Sequence, residues 1–272
     1  MTGQGIPAVS LVMPAFNSVR YLDSNVGRVL DFLDRTGIDG RVIVADDGST
    51  DGTPDSVRTE PRVTVLRLEH AGKGAALRAG MAVATGEVRG FTDGDLPYGL
   101  ERLPLAMSYI LERRYHAVIG DRTLPGSDYE STGFLRTAVS ELASFAFRTL
   151  VTGGIYDTQC GFKVFRGDVA GEIFPLTRIR GFAIDVELIY LLLKYRLDVK
   201  RIPVRLERNA PSSVRVVRDS VAAFRDIATI RGNWARGRYR APALAALLQD
   251  ELREDVEGAA RQVPSPPSAS TG

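Results

Sequence analysis

Apolar and polar positions alternate in blocks along the first 120 residues. Short apolar runs at 8–13, 41–45, 63–68, 88–92 and 116–120 read as five buried strands. Helical spacing fills the gaps between them. Over residues 21–35, Leu22, Val26, Val29, Leu30 and Leu33 fall on one helical face, and Gly37 and Gly40 close the helix. Residues 54–60, 73–84 and 103–113 read as further helices. Strands alternating with helices at this pace predict an α/β fold: a mostly parallel central sheet flanked by helices on both faces.

Beyond residue 122 the pattern changes. Residues 123–133 form a polar, glycine-containing loop, and 134–150 a helix that is apolar on most faces, with Arg136 and Arg148 as its basic residues. A second amphipathic helix is expected at 182–195, a strand broken by Pro203 at 198–206, and another helix at 216–231. The Pro/Ser/Gly end of the chain has almost nothing to bury and is expected to be disordered.

Composition narrows the class. A content of 44% hydrophobic and 25% charged residues is that of an ordinary globular protein. The net charge of +2 is too small to suggest a nucleic-acid partner, although basic residues crowd positions 196–240. One cysteine, Cys160, excludes an intrachain disulfide framework, and two histidines leave little room for a zinc site. Residues 1–8 lack the basic and apolar regions of a signal peptide, and no run of about 18 apolar residues occurs. The expected location is therefore cytoplasmic, with peripheral contact with a membrane face and homo-oligomerisation both left open.

Carboxylates carry the chemical signal. Asp46 and Asp47 follow one predicted strand, and Asp93 and Asp95 follow another. Strand ends of open α/β sheets are where ligands bind. Alternate residues of an extended chain share a face, so Asp93 and Asp95 converge. Converging carboxylates call for a hard divalent ion, Mg²⁺ or Mn²⁺, bridging to phosphates. An aspartate at the end of the second strand can accept hydrogen bonds from a base or ribose, or simply cap its own Asp-Gly turn. Gly72-Lys73-Gly74 opens a helix whose N–H groups suit an anion, but the P-loop spacing is absent.

These pieces resemble the family-2 inverting glycosyltransferases of the GT-A, Rossmann-like fold. The segments carrying the resemblance are Met13-Pro14-Ala15-Phe16-Asn17, Ala45-Asp46-Asp47-Gly48-Ser49, Gly72-Lys73-Gly74 through Arg78-Ala79-Gly80, and Thr92-Asp93-Gly94-Asp95. Asp157 through Phe165 is similar to the polyprenyl- and dolichyl-phosphate branch, nearer the glucosyl than the mannosyl enzymes.

The resemblance implies a nucleotide-sugar site made by Pro14, Ala15, Asn17, Asp46, Asp47, Lys73, Arg78, Asp93 and Gly94. It implies a metal on Asp93 and Asp95, with Asp95 and Asp157 as catalytic residues and Asp157 acting as base or as orienting group. Arg122, Arg136, Lys163 and Arg208 are the candidates for an acceptor phosphate. The implied organisation is a domain over 1–231, with a donor half near 8–122 and an acceptor half near 123–231. A helical extension at 232–262 and a tail at 263–272 follow.

Two departures stand out. Ser18 replaces the family's usual Glu, and Pro97 stands where some mannosyl relatives place a metal-binding Gln. The expected reaction moves a hexose from a nucleotide sugar to a polyprenyl phosphate, with UDP-glucose favoured and GDP-mannose or a soluble acceptor as alternatives. A binding protein without catalysis is the competing class. A dinucleotide-dependent dehydrogenase is disfavoured because no Gly-x-Gly-x-x-Gly follows the first strand.

Overall fold

The computed structural model describes residues 8–127, 157–206 and 216–247. The expected helix at 134–150, Arg136, Arg208 and the tail lie outside the described residues.

Seven strands form one sheet: β1 (Val9–Ala15), β2 (Gly40–Asp46), β3 (Val63–Arg67), β4 (Val88–Phe91), β5 (Ala117–Asp121), β6 (Lys163–Arg166) and β7 (Val199–Pro203). Their order is β3-β2-β1-β4-β6-β5-β7. β1 is parallel to β2 and β4, β2 to β3, and β5 to β7. β6 is antiparallel to both of its neighbours, β4 and β5. The described helices are α1 (Leu22–Thr36), α2 (Thr53–Ser56), α3 (Lys73–Val83), α4 (Leu103–Leu111), α5 (Gly167–Leu176), α6 (Ile184–Lys194) and α7 (Val216–Ala235).

Both faces of the sheet are covered. On one, Leu22, Val26, Val29 and Leu33 of α1 and Leu103 and Ala106 of α4 pack on Leu11, Val42 and Val164. The stripe read from the sequence is the buried face of α1. Gly37 ends that helix in the left-handed region at φ 66°, which only glycine enters without penalty. On the other face, α3, α5, α6 and α7 share a core. Phe91 of β4, Phe165 of β6 and Phe174 of α5 meet there at centroid distances of 5.3–6.4 Å. Each such pair adds about 0.5–1.5 kcal/mol beyond its buried area.

Neither β6 nor α5 was expected from the sequence. β6 has four residues and opens with a lysine, so it shows no apolar run. α5 opens with glycine, has no side-chain cap and contains Pro175.

Candidate active site

The carboxyl ends of β1, β2 and β4 lie side by side, and Ala15 pairs in register with Asp46. The chain winds from β1 through β2 to β3, then crosses back to β4 on the far side of β1. Such reversals open a crevice above the sheet.

The loops after β1 and β2 are stitched together there. Asn17 stands in the left-handed region at φ 49°. Its N–H donates to Ser49 Oγ (2.8 Å), and its Oδ1 accepts from the Thr50 N–H (2.9 Å). Buried Asp46 accepts from the Ser49 hydroxyl (2.5 Å) and N–H (3.1 Å), so it closes its own turn. Asp47, also buried, accepts from the Ala71 N–H (2.8 Å) and the Gly72 N–H (2.9 and 3.0 Å). His70 Nδ1 lies 2.9 Å from Asp47 Oδ2, and its ring stacks on exposed Phe16 at 4.4 Å.

The glycines before α3 therefore do receive an anion, but it is the protein's own. Asp47 takes the N–H groups of 71 and 72. The Arg180 carbonyl takes those of Gly74 (2.6 Å) and Ala75 (3.2 Å). The expectation that this helix start is open to a phosphate is corrected on that ground. Arg78 likewise donates to the Thr177 carbonyl (3.0 Å) and hydroxyl (3.1 Å) and fastens a loop.

Past β4, Asp93 and Asp95 are half-buried and separated by buried Gly94, whose carbonyl accepts from Asn25 (2.9 Å). Lys73 Nζ sits 2.8 Å from Asp93 Oδ1 and 3.1 Å from Asp185 Oδ2. Lys163 Nζ, fully buried, reaches Asp185 Oδ1 (2.5 Å) and the carbonyls of Cys160 (2.7 Å) and Thr158 (3.1 Å). Four charges of alternating sign thus run Lys163–Asp185–Lys73–Asp93 from the core to the crevice, both ammonium groups lying over the Phe91 ring.

Burial pulls the Lys73 pKa down, but Asp185 and Asp93 more than reverse this and hold it raised. Burial pushes Asp185 up, and Lys163 and Lys73 overrule it and lower it. The acceptor-phosphate assignment of Lys163 is corrected: its ammonium is enclosed by three internal acceptors. Asp185, in a segment similar to the polyprenyl-phosphate branch, was given no role in the site. An acid opening a helix buried from Ile184 to Leu192 was its signal.

At the end of β5, Arg122 clamps Asp157. Its Nε (2.7 Å) and N–H (2.8 Å) reach one carboxylate oxygen, and Nη2 reaches the other at 2.7 Å. Asp157 is 5% exposed. Burial lowers the Arg122 pKa, and the bond to Asp157 more than restores it, leaving it raised. The Tyr98 ring lies 6.0 Å from the Arg122 guanidinium. Burial first pushes its pKa up, and it lies in the field of Arg122, Asp157 and Asp93 together.

A divalent cation fits this crevice. Among the described residues no cluster of three His, Cys, Asp or Glu side chains converges. Two half-exposed carboxylates, with phosphates and water completing the shell, are the common arrangement for Mg²⁺ or Mn²⁺. A separate cleft of about 540 Å³ against α1, lined by Arg28, Asp31, Arg35 and Glu101 among others, contains none of these residues.

A parallel sheet with one reversed strand and carboxylates above its strand ends is the GT-A class of architecture. The solved mannosyl-3-phosphoglycerate synthase of Rubrobacter xylanophilus superposes with a TM-score of 0.67, at 20% identity over 87% of this chain and 78% of that one. Glucosyl-3-phosphoglycerate synthase of Mycobacterium tuberculosis, solved with Mn²⁺, UDP-glucose and phosphoglyceric acid, gives 0.59 at 20% identity, covering 87% and 81%.

Residues 10–174 match the family described as Glycosyl transferase family 2, and the chain belongs to that family. Dolichyl-phosphate beta-glucosyltransferase of Dictyostelium discoideum is 28% identical over 249 residues, 85% of this chain and 76% of that protein. Its Drosophila melanogaster counterpart is 32% identical over 216 residues, 72% and 66%.

Proposed function

We propose that this hexosyltransferase moves glucose from UDP-glucose to a polyprenyl phosphate with inversion at the anomeric carbon. The observation that carries the acceptor class is the Arg122–Asp157 clamp. A carboxylate already accepting three hydrogen bonds is poorly placed to remove a proton. A hydroxyl acceptor requires a base, whereas a phosphate monoester, with a second pKa of about 6, arrives largely ionised. The names of the similar curated proteins support the same acceptor.

In this reading Asp157 positions Arg122, and Arg122 grips the acceptor phosphate. An acceptor phosphate oxygen bonds to the anomeric carbon as the bond to the diphosphate oxygen breaks, and UDP departs with the electron pair. Asp95 and Asp93 would hold Mg²⁺ or Mn²⁺, which supplies Lewis-acid neutralisation of the departing diphosphate. Lys73 fixes Asp93 and adds positive charge beside it. Pro14, Ala15 and Asn17, with the loops closed by Asp46 and Asp47, form the wall on which base and ribose lie.

The test is transfer of label from a panel of radiolabelled nucleotide sugars into a short polyprenyl phosphate with Mg²⁺ or Mn²⁺. Glucose should enter the organic phase from UDP-glucose, and Asp95→Ala should lose about 10²–10³-fold, the usual cost of removing charge stabilisation. Label appearing only in a soluble phosphorylated acceptor, or from GDP-mannose, would overturn the acceptor or donor assignment.

A further inference from the structure

The segment between α5 and α6, residues 177–183, is absorbed by neither donor nor acceptor chemistry. It carries Phe182, which at 74% has the largest exposure of any large hydrophobic side chain among the described residues. Arg178 and Arg180 precede it and are exposed.

The backbone of this loop is held from three sides. Glu187 accepts from the N–H groups of Arg178 (2.9 and 3.0 Å) and Ile179 (2.9 Å). The start of α3 donates to the Arg180 carbonyl, and Arg78 donates to Thr177. An exposed phenylalanine on a fixed loop has no local packing role.

The exposed charge on the loop has one sign, that of Arg178 and Arg180. Burial lowers the Arg78 pKa first, Glu187 opposes this, and repulsion from Arg178 and Arg180 adds to the lowering, so the three guanidinium groups lie close enough to feel one another. The carboxylate beneath them, Glu187, is fully buried and caps backbone rather than facing solvent. The whole chain carries only +2, so attraction for anions is local to patches such as this one.

The loop also adjoins the crevice. A Cβ on Gly72 would stand 2.6 Å from the Arg180 carbonyl, and the next residue, Lys73, grips Asp93.

We infer that the 177–183 loop is a docking surface for an anionic lipid bilayer, with Phe182 entering the headgroup layer and Arg178 and Arg180 meeting lipid phosphates. This rests on the lipid-phosphate acceptor reading, since it sets the crevice rim at the membrane plane where such an acceptor is presented. No helix among the described residues is long and apolar enough to cross a membrane. One aromatic and two cations give weak, reversible, salt-sensitive binding rather than anchoring.

Co-sedimentation with phosphatidylcholine vesicles, with and without phosphatidylglycerol, tests this. The wild-type chain should sediment with anionic vesicles and not with neutral ones. The Arg178→Glu/Arg180→Glu variant should lose at least about fivefold per arginine in partitioning. Phe182→Ser should also lose binding. Leu111→Ser, an exposed leucine on α4 at the other face of the sheet, should bind as the wild type does. Transfer to a detergent-dispersed short acceptor should be unchanged in all of them, which also shows that they fold. Equal sedimentation of the wild type and the loop variants, or none by the wild type, overturns the surface. Intact vesicle binding without transfer to any lipid phosphate sinks the acceptor reading and leaves the surface standing.

Discussion

Gly161 has no side chain because Asp93 already fills the space. A Cβ there would stand 1.9 Å from Asp93 Oδ2, inside any permissible contact. Gly161→Ala should therefore displace the Asp93 carboxylate. Steady-state kinetics should show a loss of about 10²-fold in kcat/KM, the cost of a misplacement near 1 Å. An activity close to wild type would mean that Asp93 does not need this position. Asp46, Asp47, Asp93 and Asp95 were legible at strand ends because short polar motifs after apolar runs mark such ends, whereas Asp157 and Arg122 came only from the family resemblance. The sequence misassigned Lys163 to the acceptor, because a lysine looks the same on paper whether it meets solvent or a buried carboxylate. Its partner Asp185 is 22 residues away, and only the fold brings the two together.

At the scale of elements, α3 and the 177–183 loop are locked by backbone contacts that leave no room for side chains. A Cβ on Gly74 would lie 2.4 Å from the Ile179 carbonyl. Helix propensity alone would favour Gly74→Ala by about 1 kcal/mol. Overpacking against a fixed carbonyl typically costs about 1–3 kcal/mol, so a net lowering of the thermal midpoint is expected. A raised midpoint would show that the loop yields. The alternating strands and helices up to β5 were legible because each strand is an apolar run bounded by turn residues. β6 was not: Lys163 interrupts the pattern, and the strand is stabilised by pairing with β4 and β5 rather than by its own composition. α5 was hidden because Phe174, its anchor, acts through Phe91 and Phe165.

For the whole molecule, buried charge makes stability depend on pH. The folded pKa of Asp185 is held below its ordinary 3.8. Its contribution is thus complete above that value and is lost as pH falls through the folded pKa. Glu187 has the opposite sign. Burial raises it above 4.5, so its contribution is complete below that value and fades as pH rises through its folded pKa. Urea midpoints followed downward from pH 3.8 should therefore fall. Asp185→Asn, which leaves Lys163 and Lys73 without their shared partner, should cost about 3–5 kcal/mol near neutrality. It should also flatten the acid limb, and an unchanged limb would remove Asp185 from the acid response.

Cys160 is the chain's sole thiol, and it is buried with its sulfur where a Cβ on Gly120 would meet it at 2.7 Å. Burial pushes its pKa up to about 12, so the folded state holds it as an unreactive thiol. Alkylation must wait until the segment from Asp157 to Lys163 lifts away from the sheet. Its rate is then a clock for that local opening, read by mass alone with no engineered label. The same clock, run with and without a nucleotide sugar, measures how firmly a bound donor fastens the floor of its own site.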